Sequence, residues 1–252
     1  MKYMKGSKYC LLLIIFLKSF IAFSQVPDPY QKGYSAEQNL KAIGRISPYA
    51  IGGIGFDTRY QGVVGSPMLF DRMLPALVKV NSEEKYLSIE SNLDVYGDRL
   101  IFTHPENKTL MYIPVQIIDE VLVNNNGENL IFRTTRDKKF DPAVDKIRFY
   151  QVLYSNGTTV IKTTVKKLIP ADYQKLYSAD RRYDEFDTNF NYYYLGPDVI
   201  FHKMLPNKKS LLKVFPEQRD IIEKTLKGNE FENNDEMILE VMKIISSSYS
   251  TK

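Results

Sequence analysis

Residues 148–165 read RFYQVLYSNGTTVIKTTV, and this stretch decides the fold class. Two runs rich in β-branched, aromatic and aliphatic residues, 148–154 and 158–165, flank Asn156-Gly157, a dipeptide that accepts the positive φ values of a type I′ turn. An antiparallel hairpin follows. A two-residue turn places Leu153 opposite Val160 and Val152 opposite Ile161. In that register Tyr150, Val152, Tyr154 and Ile161 share one face, while Phe149, Leu153 and Val160 share the other with Gln151 and Lys162. The first face is the expected core side.

Upstream the same texture recurs at 76–80, 86–89, 93–96, 99–103, 110–113, 117–123 and 130–134. Gly97-Asp98, His104-Pro105-Glu106-Asn107 and Asn124-Asn125-Asn126-Gly127 punctuate it with residues that tolerate positive φ or fix φ near −65°. Downstream, 166–189 is polar and charged and predicts helix and loop. A last hairpin is expected from 190–195 and 199–203, joined through Gly196-Pro197-Asp198. The chain then turns helical. Ser210 can cap a turn through Phe215, Pro216 can open a helix ending at Gly228, and Asn234 can cap a second helix. In that second helix Ile238, Val241, Met242 and Ile245 recur at i, i+3, i+4 and i+7. The expected fold is α+β and mainly β. It is an antiparallel strand meander or partly closed barrel-like sheet over 48–205, with a C-terminal helix pair, 206–252, packed on it.

The first 24 residues differ in kind. Three lysines precede the apolar run 10–17, Lys18 interrupts it, and Ala22-Phe23-Ser24 supplies small residues for a signal peptidase, so a cleaved secretory leader over 1–24 is expected. The apolar run is too short to span a membrane. The polar segment 25–47 follows, with a short helix possible over 34–46. Of 34 basic residues four lie in the leader, which leaves 30 basic against 30 acidic side chains after cleavage. That balance gives no overall field for a nucleic-acid partner. The sole cysteine, Cys10, lies in the leader too, so the mature chain is expected to have no disulfide or cysteine nucleophile.

Candidate chemistry is sparse. His104 and His202 are the only histidines, and neither stands at a metal-ligand spacing. Ile51-Gly52-Gly53-Ile54-Gly55-Phe56 lacks the Gly-Lys-Ser/Thr that would make it a phosphate loop and reads as a bulged strand. Asp187, Asn189, Asn191 and Asp198 carry the oxygen spacing of a calcium loop, but Tyr192 stands where the glycine belongs. Tyr192 and Tyr194 would share one strand face, with Tyr193 opposite. Lys203, Lys208, Lys209 and Lys213 form a local basic edge expected to face solvent. No catalytic residue, cofactor or metal is expected.

Four ordered segments resemble small secreted proteins of Bacteroidota-type bacteria. They are 57–71 (DTRYQGVVGSPMLFD), 93–102 (LDVYGDRLIF, similar to a "YDVYxDxLLF" hairpin), 149–154 (FYQVLY) and 209–216 (KSLLKVFP). Where that family tends to carry Trp and Gly after the Leu-Phe-Asp, this chain has Met73 and Ala76. The resemblance implies an exported location and a coarse shape, and no reaction.

The function expected is therefore that of a noncatalytic secreted or cell-envelope binding or assembly module. Its partner would be an envelope protein or glycan, with no nucleic acid and no membrane span after cleavage. A carboxylate-based, glycosidase-like hydrolase is the alternative and needs two acids facing one cleft. The contact surface expected is Arg59, Tyr60, Phe70, Asp71 and Arg72, because arginine and aromatic side chains carry much of the energy of interfaces and Gly62, Gly65 and Pro67 suit a structured loop.

Overall fold

The computed structural model describes residues 53–54, 60–81, 85–104, 109–171 and 183–250, all within one compact unit, Ala36–Lys252. The expected leader over 1–24, the segment 25–47, Cys10 and Arg59 lie outside the described residues.

The described chain is mainly β, with one large, mostly antiparallel, open sheet followed by three helices. The strands are β1 (Gly53–Ile54), β2 (Leu74–Val80), β3 (Leu87–Asp94), β4 (Arg99–Thr103), β5 (Leu110–Pro114) and β6 (Ile118–Asn125). They continue with β7 (Glu128–Thr134), β8 (Phe140–Asp141), β9 (Phe149–Asn156), β10 (Thr158–Ile169), β11 (Glu185–Leu195) and β12 (Phe201–Met204). In space they lie in the order β1-β5-β4-β3-β2-β6-β7-β9-β10-β11-β12-β8.

That order forces curvature. β5 and β6 are four strand positions apart, yet only the 3-10 turn Val115–Ile117 links them. In a flat sheet they would stand about 19 Å apart, whereas the chain from Pro114 to Ile118 reaches at most about 14 Å. The sheet must curl, and its concave side collects one core. Alternate residues of β2 (Leu74, Ala76, Val78, Val80) meet Leu93, Leu100, Phe102, Ile113, Val121 and Phe132 there. The edges never meet, so the barrel is only partly formed.

The other end of the sheet is buried on both faces. Val160, Tyr192 and Met204 pack under the helices, while Ile161, Tyr193 and Phe201 pack with Phe140 and Tyr150 on the reverse. The tyrosine run therefore alternates as its strand period requires. The hairpin departs from the expected register. Only Gly157 has positive φ there, at 76°, and the ladder starts at Asn156↔Thr158, puts Tyr154 opposite Val160, and recovers Val152↔Ile161 by bulging Leu153 out. The bulge moves Tyr154 to the helix side with Leu153 and Val160. Two buried faces replace the one expected.

Two further expectations give way. The expected strands 86–89 and 93–96 are one strand, β3, whose polar centre is tolerated because the buried Asn92 amide is hydrogen-bonded. The described part of the polar stretch 166–189 is largely strand, because β10 and β11 continue as a two-stranded ribbon from Thr163↔Asn191 to Ile169↔Glu185. Ladder bonds, and not apolar alternation, hold that ribbon, so its side chains carried no strand signal. Residues 172–182 lie outside the described set.

The C-terminus has three helices and not two: α1 (Lys208–Val214), α2 (Arg219–Gly228) and α3 (Asn234–Ser250). Asn207 caps α1, its side chain accepting from Ser210 N, while Ser210 Oγ accepts from Leu205 N. Pro216 opens the 3-10 turn Pro216–Gln218 ahead of α2. Asn233 holds Glu236 N at the start of α3. Ile238, Val241, Met242 and Ile245 are all buried against the sheet, as their spacing requires. No helix among the described residues is long and apolar enough to cross a membrane.

Candidate functional site

Residues 60–72 form a strap across the sheet. Gly62 and Gly65 adopt φ of 85° and 84°, which L-residues with a Cβ resist. The strap is pinned by its backbone: Val64 N donates to Asp184 O at 2.8 Å, Phe186 N to Val64 O at 2.9 Å, and Leu69 N to Leu93 O at 2.8 Å. Two side chains complete the anchorage. Lys166 Nζ donates to Ser66 O and Met68 O at 2.8 and 2.6 Å, and burial pushes its ammonium pKa down. Asn92 accepts from Phe70 N at 3.2 Å and donates to Phe70 O and Arg72 O at 2.8 and 3.1 Å.

The expected contact residues divide along this strap. Tyr60 packs edge-on against Phe186 and Tyr96, with ring centroids 5.1 and 6.1 Å away. Phe70 meets Phe132 edge-on at 6.1 Å. Asp71 and Arg72 are exposed, and Arg72 Nη2 donates to Asn126 Oδ1 at 2.6 Å. The two aromatic rings cover different parts of the sheet and do not meet, whereas the charges face water.

Phe70 also lines a groove of about 620 Å³ between the sheet and α3. Its floor follows a cross-strand row, Phe132, Gln151 and Lys162, and its walls include Leu130, Leu153, Phe190 and Glu236. Phe190 is 52% exposed. Asp235 ties α3 to this floor, accepting from Tyr192 Oη at 2.8 Å and pairing with Lys162. Burial, and then the bond to Asp235, push the Tyr192 phenol well up.

A larger groove, about 890 Å³, lies at the sheet edge between β12 and α1. Met204, Val214 and the half-buried Tyr194 contribute its apolar part, and Lys203, Lys208, Lys209 and Lys213 its charge. The four lysines noted as a basic edge thus converge on one concavity. Their sequence spacing carried the charge, and the pairing of β12 with β11 brought it beside the first helix.

His202 stands between this groove and a hollow of about 760 Å³ behind it. Its Nε2 lies 2.9 Å from Asp198 Oδ2, and its Nδ1 lies 3.4 Å from Asp141 Oδ2. The hydrogen bond to Asp198 raises the imidazole pKa against an opposing desolvation, and Asp141 adds to the rise. Desolvation pulls the Asp198 carboxyl up, but the bonds from His202 and Ile200 N outweigh it and leave the pKa lowered. Both ring nitrogens thus face carboxylates, an arrangement that favours the protonated ring. A glycosidase acid must instead be held protonated. Asp98 is a carboxyl that burial pushes up, but it is paired with Lys146 beside the β3–β4 turn, and the nearby acid Asp94 belongs to the same turn and is paired with Arg99.

Other expectations resolve by placement. Asp187, Asn189 and Asn191 lie along β11, and an extended strand cannot wrap them around an ion. Among the described residues no group of three His, Cys, Asp or Glu side chains is arranged to hold a metal. Gly53–Ile54 pairs with Met111 and Leu110 as an edge strand, and the rest of that glycine run lies outside the described residues. Comparison with family models, curated proteins and solved structures finds no significant match to this chain.

Proposed function

We propose that this protein is a noncatalytic binding or assembly module of an exported compartment, engaging an envelope protein or glycan through the strap and the groove beside it. The observation that carries the proposal is that Phe70, fixed by Asn92, and the half-exposed Phe190 share one open groove, and that Asp71 and Arg72, which follow Phe70 in the strap, are exposed. Preorganised aromatic groups beside placed charges lower the ordering cost of binding. The leader over 1–24 and the resemblance to small secreted proteins support export.

The experiment is a pull-down from envelope extract with wild type and with Arg72→Ala/Phe190→Ala, after circular dichroism confirms that the variant folds. Loss of a partner in the variant supports the proposal. Identical partner sets, or turnover of a glycan or peptide library by the purified protein, overturn it. Intact mass of protein exported by its native host is expected to begin at Gln25, and retention of Cys10 in that species removes the export argument.

A further inference from the structure

The groove between β12 and α1 is remote in sequence from the strap and has its own chemistry. Lys203, Lys209 and Lys213 are exposed and have no ion-pair partner among the described residues, whereas Lys208 lies 3.2 Å from Glu223. Lys209 and Lys213 are i,i+4 neighbours on α1, a like-charge spacing that destabilises a helix when nothing intervenes. All three residues line one concavity with an apolar part, Lys203 from the edge of β12 opposite Tyr193 and Lys209 and Lys213 from α1. The formal charge of the whole chain is only +4, so this edge departs sharply from the average surface.

The apolar part is specific in shape. Tyr194 is held by His202 and Phe215, with ring centroids at 5.5 and 6.2 Å, and Tyr194 and Met204 lie beside the lysines. A fixed aromatic ring with a polar tip suits the apolar face of a pyranose, and the lysines suit carboxylates spaced along a chain. His202 does not compete for the anion, because Asp198 and Asp141 already occupy its nitrogens.

We infer that the β12–α1 groove binds an acidic, carboxylate-bearing saccharide chain, with Lys203, Lys209 and Lys213 contacting the carboxylates and Tyr194 receiving the sugar face. The test titrates labelled oligogalacturonate into the full mature protein and follows anisotropy at low and moderate salt. A neutral glucan oligomer, inorganic phosphate, phosphatidylglycerol vesicles and single-stranded DNA serve as comparison probes. Saturable, salt-sensitive binding of the oligogalacturonate is expected, weakened about tenfold or more by Lys203→Gln/Lys209→Gln/Lys213→Gln. Arg72→Ala/Phe190→Ala in the other groove is expected to leave it unchanged. These lysines are exposed, so the triple variant keeps its fold, and circular dichroism checks that. Equal affinity of the triple variant, absence of oligogalacturonate binding, or equal or tighter binding of phosphate, vesicles or DNA overturns the assignment.

Discussion

Single residues set local geometry here through backbone sterics and buried charge. Gly157 has φ of 76°, and an added Cβ there would meet nothing within 4 Å. Gly157→Val therefore costs backbone strain alone, about 1 kcal/mol or somewhat more, read as a lowered urea midpoint with unchanged slope. Gly97 is required for the opposite reason, since a Cβ would lie 2.6 Å from the buried Asp94 carboxylate. His202 links a residue to pH. Its folded pKa stands above the ordinary 6.5, so its contribution to stability is complete below that value and is lost as pH rises through the elevated one. NMR titration of the ring is expected to show the raised midpoint, and Asp198→Asn to move it back toward 6.5.

Elements are held in register by a few polar contacts that local sequence does not announce. The strap at 60–72 depends on Asn92, whose side chain satisfies two backbone groups of Phe70 and one of Arg72. Asn92→Ala leaves those partners unmet at a buried site and is expected to cost about 2–3 kcal/mol, with faster proteolytic cleavage in the strap than in the β-strands. An Asn92→Ala protein with wild-type stability and strap protection contradicts this account. The β10–β11 ribbon shows the converse, a strand pair kept by its ladder while Asp187, Thr188 and Asn189 face water.

At the scale of the whole molecule, three buried clusters hang on one sheet. The concave core around Val78 and Leu93 and the helix-covered core around Val160 and Ile238 are joined by the unbroken β6-β7-β9-β10 ladder. A continuous ladder transmits loss of either core to the other. Val78→Ala costs about 1–3 kcal/mol and Ile238→Ala about 2–5 kcal/mol. Both are expected to shift one common unfolding transition, followed by near- and far-ultraviolet circular dichroism. Two separate transitions would show that the helical end melts by itself.

The sequence by itself determined the strand texture, the position of the turn at Asn156-Gly157, the alternation of Tyr192, Tyr193 and Tyr194, and the buried stripe of α3, because periodicity and turn chemistry are local properties of the chain. The tertiary structure alone decided the curl of the sheet, the bulge at Leu153, the burial of both faces near Val160 and Ile161, and the convergence of Lys203 with Lys209 and Lys213. Those features depend on which distant segments pair and on how short a link must close them. Asn92 and the contact of Asp141 with His202 belong to the same group, since each serves a partner that folding, and not sequence proximity, completes.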